Sequence, residues 1–166
     1  MKQTIRPVQK ALLLRQIVAA LTERLEVLEK AAQAAHAEAT HESSKAENKY
    51  DTRGLEAAYL AGGQARQARE LLEAIKTYAA FTARDFGADD SIDLGALVAV
   101  AADGVESWYF LGPKNGGLEV GHEGREVMVI TPQSPLGGQI TGRRAGHKWT
   151  VKAPGTTVRQ EITQVF

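Results

Sequence analysis

Apolar residues recur along the first half of the chain in steps of three and four. From about Pro7 one stripe runs through Leu14, Ile17, Leu21, Leu25, Leu28, Ala32 and Ala35. A second runs through Leu55, Ala58, Gly62, Ala65, Ala68, Leu72, Ile75 and Ala79. That spacing places each set on one face of an α-helix. No glycine or proline stands between Val8 and Arg53, so backbone chemistry does not end the first helix early. Two long helices with one narrow stripe each bury those stripes most economically against one another, as an antiparallel coiled-coil hairpin. The stripe residues shrink from Leu and Ile to Ala and Gly toward the joint. This predicts a slender arm of ~45–50 Å at ~1.5 Å per residue.

Near Arg84 the period changes. After the loop-like FGADDS come short β-branched and aromatic runs: IDLGALVAVAA, ESWYFLG, REVMVITP, HKWTVKA and TTVRQEITQVF. Gly, Pro, Asn and Asp separate them, which reads as strands and turns. The expected core is Trp108, Phe110, Val127, Val129, Trp149 and Val151. His122 and His147, beside glycines, are expected at the surface. Within this half, Ser134-Pro135 is a helix-start signal, Ser as N-cap and Pro at the first helical position. Gly137 and Gly138 then limit that helix to a short turn. The fold class is therefore α+β. Residues 1–84 form a helical arm with a polar tip near 39–54, and 85–166 form a small β-rich domain with one short helix.

Composition removes several function classes. The 166 residues carry 20 acids against 20 bases, so no net basic charge favours nucleic acid, and no direct sequence-specific DNA binding is expected. The balance is uneven locally, with nine acids against three bases in 84–126 and five bases against one acid in 143–161. A surface patterned in this way suits docking to another protein. The absence of cysteine excludes disulfides and cysteine-ligated metal centres. No apolar run approaches the roughly 20 residues needed to span a bilayer, so no membrane partner is expected. The N-terminal apolar patch, interrupted by Arg15, reads as helix and not as a signal peptide, which makes the cytoplasm the default location.

The polar stretch ATHESSKAENKYDTRG, residues 39–54, is the chemically richest segment of the helical half. Glu38 and Glu42 stand one helical turn apart, as do Glu47 and Asp51, so either pair can present two carboxylates together. Paired carboxylates suit a hard divalent cation or a water activated beside one. A solvated hairpin tip accounts for the same residues. His36 and His41 are five apart, which is not the one-face spacing of a helical zinc pair. Ser91, Ser107 and Ser134 lack a nucleophile-elbow setting, and the glycine-rich stretches lack a phosphate-loop Lys-Ser/Thr pair. No metal held by this chain alone is expected, and no cofactor of its own.

Ser134-Pro135-Leu136-Gly137, followed by Ile140, Gly142, Gly146 and Val151, matches in spacing the S-P-[IL]-G…L-x-G-x-x-x-G…V pattern of the bacterial Gre transcript-cleavage factors, which this chain resembles. Glu47-Asn48 and Tyr50 are similar to that family's K-E-N-A-E-Y tip stretch. The resemblance implies an FKBP-like C-terminal domain that docks on RNA polymerase, with Ser134, Pro135, Leu136 and Gly137 as docking residues. It further implies an arm entering the secondary channel, with Asn48 and Tyr50 at its tip. Glu42, Glu47 and Asp51 are the acids available to share the polymerase Mg²⁺. Such a factor is not itself an enzyme; at most it stimulates the polymerase's own nuclease. The family's tip pairs an Asp with a Glu three residues later. Aligning Glu47-Asn48 puts Ser44 at that Asp, and aligning Lys45 and Tyr50 puts Ser43 there and Ala46 at the Glu. The implied function is either stimulation of cleavage of backtracked RNA or modulation of elongation or pausing from within the channel. The alternatives are a coiled-coil adaptor or dimerisation module, and an FKBP-like prolyl isomerase.

Overall fold

The computed structural model describes the backbone at residues 9–40 and 53–166 and the side chains at residues 9–38 and 62–166. Helices α1 (Lys10–Thr40) and α2 (Arg53–Ala80) come first. Strands β1 (Leu97–Ala102), β2 (Val105–Leu111), β3 (Glu119–His122) and β4 (Arg125–Ile130) follow, then α3 (Pro135–Ile140), β5 (Lys148–Ala153) and β6 (Thr156–Val165). The α+β class read from the sequence is the observed one. None of the described helices is long and apolar enough to cross a membrane. The chain divides into two compact units, Met1–Ile17 with Thr77–Phe166, and Val18–Lys76. The base of α1 and the end of α2 thus belong with the sheet.

The sheet is mixed, in the order β3-β4-β2-β1-β6-β5. Its one parallel pair is β2 with β4, joined through the β3 hairpin; the other pairs are antiparallel. Strand β3 was not among the runs read from the sequence, being four residues long and interrupted by Gly121. Registers put Val98, Val100, Leu111, Ile130, Ile162 and Val165 in one core, together with Phe86 and Ile92 from the preceding loop and Ile140 of α3. Side chains alternate along a strand, so Leu97, Ala99, Phe110, Val127 and Val129 point the other way, and they too are buried. Leu13, Ile17 and Tyr78, each 0–1% exposed, are the large apolar side chains that the helix bases add to this unit.

Tyr78 shows how tightly its surroundings are built. Its hydroxyl donates to Lys114 O at 2.5 Å. A Cβ added at Gly112 would lie 2.2 Å from that hydroxyl oxygen, so only glycine lets the ring pass. The joint after α2 is equally committed. Phe86 is 6% exposed, with Lys10 Nζ 4.7 Å and Arg84 Cζ 3.7 Å from its ring centroid. Lys10 Nζ also donates to Arg84 O, and Asp90 accepts from Gly87 N.

Within Val18–Lys76 the buried positions among the described residues are Leu21, Ala35, Ala68, Leu71 and Ala74, with Leu25 and Leu28 half-buried. The first stripe is therefore nearly as expected, except that Leu13, not Leu14, is the buried residue at its base. The second is rotated. Ala68, Leu71, Ala74 and Tyr78 are buried, whereas Leu72 is 42% exposed and Ala79 is exposed. Both sets are spaced by three and four; advancing one residue turns the face by ~100°. The bond that Tyr78 makes to Lys114 goes with the observed choice.

Of the expected core residues, Val151 is not core and Trp149 only borders it. Val151 is 40% exposed and Trp149 only half-buried, because β5 is an edge strand whose residues are mostly exposed. Trp108, Phe110, Val127 and Val129 are buried as expected.

Candidate functional site

The S-P-L-G segment forms a self-satisfied helix start. Ser134 takes the extended N-cap conformation, with Pro135 at the first helical position. Its hydroxyl donates to Thr131 O at 2.7 Å and accepts from Gly137 N at 3.1 Å. At the other end Thr141 N and Oγ1 both donate to Gly137 O, at 3.0 and 2.6 Å. Gly137 is buried in the tightest position of the domain: an added Cβ would stand 1.8 Å from Thr131 O. Backbone cannot yield as a side-chain tip can, so this glycine is fixed by packing.

What the turn offers outward follows from that accounting. The only proton of the Ser134 hydroxyl is used internally, Gly137 is enclosed, and Leu136 packs against the core. Pro135, Gly138 and Gln139 remain exposed. That exposed surface carries no nucleophile or acid. Tyr109, Met128, Ala145 and Trp149 are half-buried against the same core. His147 stacks on Trp149, with ring centroids 5.8 Å apart and planes inclined at 18°.

The aromatic residues a prolyl-isomerase pocket would require are largely engaged elsewhere. Phe110 is fully buried, and Trp108 stacks on Phe166 at 5.8 Å with the Arg125 guanidinium 4.3 Å from its ring centroid.

The tip candidates Glu42, Glu47, Asn48, Tyr50 and Asp51 lie outside the described residues. Glu38, on α1, is exposed. Among the described residues no group of three or more His, Asp or Glu side chains could hold a metal ion.

His122 is the main residue misread from the sequence. It ends β3 and is 2% exposed, not a surface loop residue. Its Nδ1 lies 2.7 Å from Gln16 Oε1, so the Nδ1–H tautomer donates to that oxygen. Nε2 is buried without a hydrogen-bond partner among the described residues. Burial lowers its pKa below the usual histidine value, partly offset by Glu123, with Arg125 adding to the lowering. Lys10 was likewise not singled out. It is 4% exposed, and burial lowers its pKa to about 8; Asp85 opposes this and Arg84 assists it. The sequence signal for both was weak: a single His or Lys beside apolar positions looks the same whether the fold buries it or not.

No family model matches the chain, and no curated protein matches it. Solved structures do. The GreA factor homolog 1 (Gfh1) of Thermus thermophilus is 18% identical, with 90% of this chain and 94% of that chain covered and a TM-score of 0.36. Gfh1 of Thermus aquaticus is 20% identical, covering 87% and 90%, with a TM-score of 0.38. A prokaryotic transcription elongation factor GreA/GreB from Nitrosomonas europaea is 22% identical, covering 70% and 94%, with a TM-score of 0.35.

Proposed function

We propose that this chain is a Gre-like accessory factor that binds RNA polymerase through its secondary channel and modulates elongation or pausing. The observation that carries this reading is the S-P-L-G turn. Its Ser134 cap and enclosed Gly137 explain why that motif needs those residue types, and it lies in a β-rich unit that follows two long helices on the same chain. In this reading the exposed edge of the turn, at Pro135 and Gln139, belongs to the docking surface, and the segment 39–54 is the end that enters the channel. Glu42, Glu47 and Asp51 are the acids available to share the polymerase's own Mg²⁺, which activates water for phosphodiester hydrolysis. Serine at the position of the family's Asp, whichever alignment is used, makes cleavage stimulation weak or nil. The test is a pull-down with core polymerase followed by a cleavage assay on a backtracked complex. Absence of binding at micromolar protein overturns the reading; strong cleavage overturns only the account of the tip.

A second reading, a coiled-coil adaptor or dimerisation module, draws on Val27 and Leu72, which are 62% and 42% exposed on the helices. Sedimentation equilibrium separates the two. A dimer that dissociates on Val27→Glu and Leu72→Glu favours the adaptor.

A further inference from the structure

Strand β5 closes one side of the sheet: it pairs with β6 alone, and among the described residues no other strand lies on its outer edge. Open edges attract further strands, and proteins commonly guard them with charge, lysine above all. Here the guard is one-sided. Registers place Lys148 opposite Glu161, Thr150 opposite Arg159 and Lys152 opposite Thr157, all on one face. That face carries three cations and one carboxylate. Lys148 is paired with Glu161 at 3.3 Å, and Lys152 and Arg159 have no ion pair among the described residues. The other face of the same strand is apolar. It carries half-buried Trp149, with its indole N–H buried and unpartnered among the described residues, and Val151, which is 40% exposed opposite Val158.

A second copy of this strand is a poor occupant of the edge. Antiparallel self-pairing centred on Thr150 sets Lys148 against Lys152 of the other copy, placing like charges together. A strand of opposite charge fits. We propose that the β5 edge receives an extended acidic polypeptide segment by strand addition. Its Asp or Glu residues alternate with β-branched ones, the acids on the face that carries Lys148, Lys152 and, one strand further in, Arg159, and the apolar side chains on the face of Trp149 and Val151. Main-chain hydrogen bonds give the affinity, and the two-residue alternation gives the selectivity. This inference does not depend on polymerase binding, and polymerase pull-down and peptide binding fail separately.

The probe is the peptide acetyl-Glu-Val-Glu-Val-Glu-Val-Glu-amide, titrated into the full chain while backbone amide shifts and hydrogen exchange are followed. Saturable shifts on β5, slowed exchange of its outward amides and loss of binding on N-methylation of the peptide are the expected results. Lys152→Glu with Arg159→Glu weakens binding about tenfold at physiological salt, and the same variant gains binding of the Lys-Val counterpart. That gain also shows the variant to be folded. Equal binding of the N-methylated peptide would mean electrostatic adsorption, and tighter binding of a ten-residue oligothymidine would mean a nucleic-acid face. Either result, or an absence of shifts on β5, overturns the proposal.

Discussion

Leu13, Ile17 and Tyr78 are 0–1% exposed, whereas Val27 and Leu72, farther along the same two helices, are 62% and 42% exposed. Between them the local chemistry hardly changes. Both stretches are helix formers with apolar residues every three or four positions. The difference is in what surrounds them. The helix bases belong to a unit that also contains a six-stranded sheet, while Val18–Lys76 is a unit of two helical segments and the residues that join them. Two helices alone can enclose one narrow seam, so Leu21, Ala35, Ala68, Leu71 and Ala74 are buried there, and apolar groups off the seam, such as Val27 and Leu72, stay in water.

The contrast predicts where substitutions will be felt. The largest effect is expected from Gly137→Ala. The new methyl would meet the Thr131 carbonyl at 1.8 Å, and displacing backbone should remove more than about 3 kcal/mol, read as a fall in the urea midpoint. Next comes Ile17→Ala, a cavity in the sheet-bearing unit, at about 2–4 kcal/mol. A loss below about 1 kcal/mol there would erase the distinction between base and arm. Gly112→Ala should cost about 2 kcal/mol, and Tyr78→Phe should recover part of it, because the clash is with the hydroxyl oxygen. A double-mutant cycle on thermal melts reads the coupling.

Alkaline pH sharpens the comparison further, since Lys10 and Tyr78 both sit in the sheet-bearing unit. Lys10 is held at about 8, below its ordinary 10.5. Between these values the unfolded chain keeps a proton that the folded chain has released, so stability rises with pH, by on the order of 1–3 kcal/mol. Tyr78 is pushed up to about 12 from 10.0 by burial. Above pH 10 the unfolded chain ionises first, and stability falls. Urea melts from pH 7 to 12 should therefore pass through a maximum near pH 10. Lys10→Met should abolish the rise and Tyr78→Phe the fall. The smallest effect is expected from Val27→Ala, within about 0.5 kcal/mol by urea melt, because so much of that side chain is already solvated.

Periodicity in the sequence was sufficient for both helices, five of the six strands and the short helix after Ser134, because each has a local signature: a three-four stripe, a β-branched run, or a cap followed by proline. The S-P-L-G motif was legible through family resemblance, its residue types being set by local geometry; periodicity did not show it. Periodicity could not choose between the stripes ending at Tyr78 and at Ala79, which satisfy the same spacing; a hydroxyl reaching a carbonyl 36 residues away goes with one of them. Nor did it show that Val151 would lie on an edge, since strand order is a property of the sheet. His122 and Lys10 were hidden for the same reason. Burial and the pKa shifts it causes depend on what distant segments bring alongside, and a sequence read position by position records only neighbours along the chain.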